Sequence, residues 1–281
     1  MIKVENLYYK YKKQNKNNFI LNDINLEINS GEFISIIGNN GEGKSTLVKL
    51  LSGILPPTTG NIYINDLDTK SKKDFINIRK NISIVFQNPE NQIIFERVYE
   101  ELEFTLKNLN FSKDDIEKQI DNALELTGMK DFKYTNTSEL SLGQKQKIVI
   151  AEALSINSEI IVLDEPTAML DPISKKEIMK LLSDLNKLGK TIIIVTHNLD
   201  EIFYSTRCLY LNNNIIENDF NIENLFTNKE LLNKINNNNS NFTLNILSSL
   251  LEKNINLNYK DFKNSSLTFD EYLNKEIINK L

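Results

Sequence analysis

Tryptophan is missing from this chain of 281 residues, and cysteine and histidine occur once each. A single thiol, Cys208, excludes an intramolecular disulfide and fits a reducing compartment, so Cys208 is read as packing. Long apolar runs are also lacking. Purely aliphatic stretches such as Ile160 to Leu163 stop after four residues, and the N-terminal "MIKVENLYYKY" has no apolar signal core. Any membrane role is therefore expected to come from docking onto another subunit. Basic charge is short as well: the formal net charge of -5 argues against nucleic acid as a partner, because a phosphate backbone rewards a basic face. Glycine is scarce, with nine in the whole chain, yet three of them fall between Gly38 and Gly43.

That concentration lies in "GNNGEGKST", Gly38 to Thr46, which fits G-x-x-x-x-G-K-[ST] with Gly41 as an extra glycine. "EFISIIG" before it is continuously apolar and β-branched and reads as a buried strand. "KSTLVKLLSG" after it has apolar residues at helical spacing and ends at Gly53. Strand, glycine loop and helix together suit an anionic cargo. The backbone of Gly38, Asn39, Asn40, Gly41, Glu42 and Gly43 can curl so that successive N–H groups meet phosphate oxygens, and the helix N-terminus adds partial positive charge. Lys44 is expected to reach the β- and γ-phosphates, Ser45 to ligate Mg²⁺ and Thr46 to meet the α-phosphate.

Four later segments narrow the type of phosphate site. "IIVLDEP", Ile160 to Pro166, is an apolar strand ending in two carboxylates, with Asp164 placed to hold Mg²⁺ through water and Glu165 to act as general base. In "LSLGQKQKIVIAEAL", Leu140 to Leu154, Ser141 and Gln144 have capping-box spacing, so a helix begins just after Ser141, with Gly143 leaving the backbone open. This second anion-binding turn has no lysine and no preceding buried strand, which suits a γ-phosphate presented by another subunit. "TIIIVTH" ends at His197 on the ligand edge of a buried parallel sheet. "IVFQNPENQ" puts Gln87, a neutral amide able to contact Mg²⁺ or water, at the end of a short strand. "LDPIS" gives Asp171 as a helix N-cap with Pro172 at N1.

In this order the set resembles the nucleotide-binding domains of ABC transporters, over about residues 1 to 220. Gly38 to Ser45 resembles the Walker A motif, Gln87 the Q-loop, Ser141 to Gln144 the signature, Ile160 to Glu165 the Walker B with catalytic glutamate, Ala168 to Asp171 the D-loop and His197 the switch histidine. The resemblance implies an α/β P-loop ABC-type ATPase fold, with a mixed sheet core, an N-terminal antiparallel β-subdomain and a helical subdomain over about 88–158. It also implies ATP and Mg²⁺ as ligands, and a head-to-tail pair in which the signature of one chain meets the Walker A of the other. Asp171 would then cross that interface, and Tyr11 in "LYYKY" is the residue chosen to stack on adenine, with Tyr8 and Tyr9 as competitors.

"FQNPENQ" and "TAMLDP" resemble, within that family, the ATPases of energy-coupling factor importers for vitamins or transition-metal ions. Partners implied are a second ABC ATPase chain, either a copy or a sister, a membrane-embedded coupling subunit and a substrate-capturing membrane subunit. The expected location is peripheral, on the cytoplasmic side of the cell membrane. Leu142 and Lys147 depart from the usual signature pattern, where glycine and arginine are common. An importer using a soluble binding protein, or a non-transport ABC ATPase, is the alternative. A GTP-binding switch would need N-K-x-D, which the sequence lacks. The ATPase domain is expected over 1–221 and a small accessory domain over 222–281, reached through the Asn-rich "NKINNNNSNF" and containing short amphipathic helices.

Overall fold

A computed structural model of the protein describes residues 1–11, 19–236, 241–253, 255, 257–265 and 267–280. The Asn-rich connection lies partly outside them, at 237–240. Two sheets form the framework. The first is antiparallel, with strand order β2-β1-β4-β5 built from β1 (Ile2–Tyr9), β2 (Leu21–Ile28), β4 (Thr59–Ile64) and β5 (Leu67–Asp68). β2 alternates buried and less buried positions along its length, with Leu21, Ile24, Leu26 and Ile28 facing the core.

The second sheet has the order β10-β9-β3-β8-β7-β6, using β3 (Phe33–Gly38), β6 (Ile82–Val85), β7 (Ile160–Asp164), β8 (Thr191–Val195), β9 (Arg207–Asn212) and β10 (Ile215–Asn221). Only β10 runs antiparallel to its neighbour; the other pairings are parallel. β3, β7 and β8 are buried along their whole length, because helices cover one face and the antiparallel sheet, together with the helix that follows the glycine loop, covers the other. This explains their continuous aliphatic sequences. The carboxyl ends of β3, β7 and β8 therefore come together at one edge, carrying the glycine loop, Asp164–Glu165 and His197.

α1 (Lys44–Leu51) follows the glycine loop, α2 (Phe75–Asn81) precedes β6, and α3 (Val98–Asn108), α4 (Lys113–Leu126) and α5 (Leu142–Ser155) form a helical layer. Val98, Leu102 and Leu106 of α3 meet Ile116, Ile120 and Ala123 of α4 in one hydrophobic cluster, as their helical spacing predicts. α6 (Pro172–Lys187) begins at an Asp171 cap, the side chain accepting from the N–H groups of Ile173 and Ser174.

Beyond β10 the sequence pattern loosens, but the structure does not. α7 (Lys229–Asn236) extends into the stretch expected to be connection, because Leu232 and Ile235, three apart, are both buried. α8 (Phe242–Glu252), α9 (Tyr259–Asn264) and α10 (Phe269–Lys280) follow. Their apolar faces share one cluster with Ile37 of β3 and with Cys208 and Tyr210 of β9. Cys208 is fully buried, and burial pushes its thiol pKa well above the ordinary range, so it is an inert packing residue.

Candidate functional site

The glycine loop closes on its own lysine. Lys44 is 5% exposed, and its Nζ donates to the carbonyls of Gly38 at 2.8 Å and Asn39 at 2.7 Å. Burial lowers its pKa, against the pull of Glu165, Asp164 and Glu42. Gly43 caps α1 with φ of 91°, and a Cβ there would come within 2.9 Å of the Ile20 carbonyl, so both conformation and space require glycine. No acidic side chain occupies the first turn of α1, which leaves its N-terminal amides free for an external anion. Asn40 and Gly41 are exposed on the loop. Glu42 is committed elsewhere, its Oε2 accepting from the Asn214 N–H in the β9–β10 turn at 3.1 Å.

Ser45 Oγ donates to Asp164 Oδ1 at 3.0 Å, joining the start of α1 to the end of β7. Burial raises the Asp164 pKa, and the Ser45 bond opposes that. A hydroxyl, a carboxylate and a nearby neutral amide are hard oxygen donors of the kind Mg²⁺ takes alongside phosphates and water. Tyr11, 37% exposed, has its hydroxyl 3.2 Å from Thr46 Oγ1 and packs edge-on against Tyr9, with ring centroids 5.0 Å apart. That places an aromatic ring beside the loop, within reach of a base attached to the bound phosphates.

Glu165 stands one residue past β7 with φ of 50°, in the left-handed region that costs a non-glycine residue of order 1 kcal/mol. The turn directs its carboxylate between two other strand ends. Gln87 Nε2 donates to Glu165 Oε2 at 2.8 Å, and His197 Nε2 lies 2.6 Å from Glu165 Oε1. The side chain of Glu165 is well covered whereas Gln87 and His197 are exposed, so the group opens on one side to solvent. A carboxylate held this way can accept a proton from a water arriving on the open side.

The Ser141 turn has the capping-box geometry its sequence predicts: Ser141 Oγ accepts from the Gln144 N–H, and Gln144 Oε1 accepts from the Ser141 N–H. Among the described residues no hydrogen bond joins this turn to the Gly38–Thr46 loop of the same chain. It is instead wired to other predicted positions. A Cβ on Gly143 would fall 2.6 Å from Ser174 Oγ, so the turn lies directly against the first turn of α6, where Asp171 also binds Ser174 Oγ at 2.6 Å. The Ser174 bond is the main cause of the lowered Asp171 pKa. Lys145 pairs with Glu90, three residues after Gln87, at 2.6 Å, and Lys147 pairs with Glu177 of α6 at 2.7 Å. The Lys147 departure thus keeps a cation on the α6 carboxylate, and Leu142 packs against the main hydrophobic cluster.

A groove that sequence reasoning missed runs between α2, β6, α3 and α5, with a cavity of about 340 Å³. Phe75, Ile76, Phe86 and Leu109 give it apolar walls, while Arg79 and Glu152 bring opposite charges. Glu152 Oε1 accepts from Thr105 Oγ1 at 2.6 Å and Oε2 from Gln92 Nε2 at 3.3 Å. Burial nevertheless pushes its pKa up to about 7, with the charge of Glu101 adding to the rise. The half-exposed Phe75 and Ile76 were the available signal, since apolar residues on a short exposed helix mark a contact face.

Residues 21–168 match the family model described as ABC transporter. The energy-coupling factor transporter ATP-binding protein EcfA1 of Fusobacterium nucleatum is 42% identical over 230 residues, covering 82% of this chain and 86% of that protein. The corresponding EcfA of Methanocaldococcus jannaschii is 43% identical over 201 residues, 71% of each chain. Among solved structures, cbiO1 from Clostridium perfringens, described as part of the ABC transporter complex cbiONQ, superposes with a TM-score of 0.74 at 37% identity, over 89% of this chain and 98% of that one. The dimeric ATP-binding cassette MJ0796 bound to ADP and Pi gives 0.71 at 32% identity, over 79% and 99%.

Proposed function

The chain belongs to the ABC transporter family of ATPases, and on that premise we propose that it is the ATP-hydrolysing subunit of an energy-coupling factor importer, powering uptake of a vitamin or a transition-metal ion. The observation that carries the reading is the placement of Glu165 between Gln87 and His197, beside the Ser45–Asp164 pair and the Lys44 loop. Lys44 and the loop amides bind the triphosphate of ATP, and Tyr11 stacks on its base. Ser45, Asp164 and Gln87 hold Mg²⁺, which supplies charge neutralisation on the phosphates. Glu165 takes the proton of the attacking water, and His197 holds that carboxylate in line and meets the γ-phosphate.

Two ATPase chains, copies or sisters, pair head to tail, so that the Ser141–Gln144 turn of one covers the phosphates on the Lys44 loop of the other. The lack of a hydrogen bond between these segments among the described residues of one chain fits that arrangement. Asp171 reaches the same interface while still capping α6. The groove beside α2 takes a short helix of a membrane-embedded coupling subunit: its walls are apolar, Arg79 and Glu152 offer both signs of charge, and its floor continues into the segment carrying Gln87. A further membrane subunit captures the cargo. This chain sits peripherally on the cytoplasmic side, in keeping with the absence of any helix among the described residues long and apolar enough to cross a membrane. Residues 222–281 act as an accessory unit on the ATPase domain.

Cysteine crosslinking tests the shared enclosure. Asn40→Cys and Leu142→Cys are placed on opposite chains of whichever ATPase pair copurifies with the membrane subunits. Cys208 is buried and does not compete. ATP is expected to produce an interchain crosslink that is absent without nucleotide. No crosslink with ATP present overturns the head-to-tail site.

A further inference from the structure

Between the loops that carry Glu165 and His197 lies a carboxylate with no part in the reading above. Glu201 is 3% exposed. Its Oε1 accepts from Thr167 Oγ1 at 2.5 Å and from Asn198 Nδ2 at 3.4 Å, and its Oε2 accepts from Thr196 Oγ1 at 2.6 Å. Thr167 comes two residues after Glu165, while Thr196 and Asn198 flank His197. A carboxylate removed from water is tolerated only when its lone pairs are filled. Here all three donors come from these two loops, so the buried carboxylate is satisfied only while both loops hold their places.

The turn that bears Glu201, Leu199–Tyr204, is fixed from its other side by the C-terminal helices. Lys263 Nζ donates to the carbonyls of Phe203, Tyr204 and Ser205 at 3.1, 3.2 and 3.1 Å, placing a cation at the carbonyl end of the turn. The ring of Phe203 stacks on Phe269 with centroids 3.6 Å apart, and Lys176 of α6 pairs with Glu271 of α10 at 2.7 Å.

We propose that Glu201 is a positioning residue for hydrolysis: by tying Thr167 to Thr196 it sets the approach of Glu165 Oε1 to His197 Nε2, and the C-terminal helices support that setting through Lys263. The inference rests on the roles given above to Glu165 and His197, and it assigns 222–281 a task at the site. Its geometry can be read without nucleotide, because His197 is the sole histidine and gives a single set of imidazole NMR signals.

The experiment uses the full chain and compares the His197 signals of Glu201→Ala, Glu201→Gln, Lys263→Met and Lys263→Arg, with Glu165→Ala as the reference for lost pairing. Glu201→Ala is expected to move the His197 resonance most of the way to that reference. Glu201→Gln recovers at least half the shift, since an amide accepts from one threonine and donates to the other. Lys263→Met moves it in the same direction and Lys263→Arg restores it. In the complex with its membrane partners, kcat of Glu201→Ala falls by roughly 10- to 100-fold, the scale set by a small misplacement of reacting groups, while KM for ATP stays within about twofold.

A wild-type His197 signal in folded Glu201→Ala, or kcat and KM failing together, overturns the proposal. If Glu201→Ala does not fold, Thr167→Val removes one donor and must shift the signal the same way; an unmoved signal there overturns it equally. These outcomes are separate from the reading of Glu165 itself, which fails if Glu165→Gln keeps its turnover.

Discussion

Replacing Glu152 by glutamine removes a charge that the folded chain holds at a cost. The pKa of this carboxyl rises from an ordinary 4.5 to about 7 because burial penalises its charged form. A folded-state pKa above the unfolded one means that the group favours folding below 4.5, and that this contribution disappears as pH climbs through 7. The full shift corresponds to about 3 kcal/mol above pH 7, at about 1.4 kcal/mol per pH unit. Because the side chain lines an open groove, solvent screening cuts this to about 1.5–3 kcal/mol. Glutamine keeps an acceptor for Thr105 without the charge. Thermal melts of both proteins at pH 8 and pH 4.5 measure the difference, each mutant compared with the wild type at the same pH. Glu152→Gln should melt higher at pH 8 by about 3–12 °C, taking 2–4 °C per kcal/mol for a chain of this size, and lie within about 1 °C at pH 4.5. An equal gap at the two pH values, or a less stable mutant at pH 8, would refute charge burial as the cause.

Two further outcomes bear on the site. Glu165→Gln should lower hydrolysis by roughly 10²- to 10⁴-fold, as a lost general base does, while ATP binding measured by fluorescence titration persists. Tyr11→Ala should weaken ATP binding by about 1–2 kcal/mol, the value of one stacked base, whereas Tyr11→Phe retains affinity; equal losses would point to the Thr46 contact instead.

Where chemistry depends on neighbours in sequence, the chain was readable. Glycine spacing, a buried strand and a helix locate the Lys44 loop because the phosphate-binding geometry is local. The Ser141–Gln144 box and the Asp171–Pro172 cap are local too, and both occur at the residues their patterns indicate. The meeting of Gln87, Glu165 and His197 depends on the order of β6, β7 and β8 in the sheet, so their spacing in sequence cannot measure it, and only the family resemblance joined them. α2 escaped notice because Phe75 and Ile76 face the groove, leaving Ile78 as its residue in the core. α7 was hidden by surrounding asparagines that mask the Leu232–Ile235 stripe. Glu201 is one acid in the polar run "NLDE", and nothing local distinguishes a buried carboxylate from a solvated one.

The two ends of α5 touch different worlds. Glu152 and Ala153 near its C-terminus line the groove, while Ser141 caps its N-terminus at the turn assigned to a partner's γ-phosphate. Its 14 residues span about 21 Å as one rigid rod. Tilting such a lever by about 10° at the groove swings the far end by about 4 Å, more than the length of a hydrogen bond. On the docking and head-to-tail pairing proposed above, a push at the groove no larger than a side-chain rearrangement would therefore be enough to open or shut the gap between two cassettes.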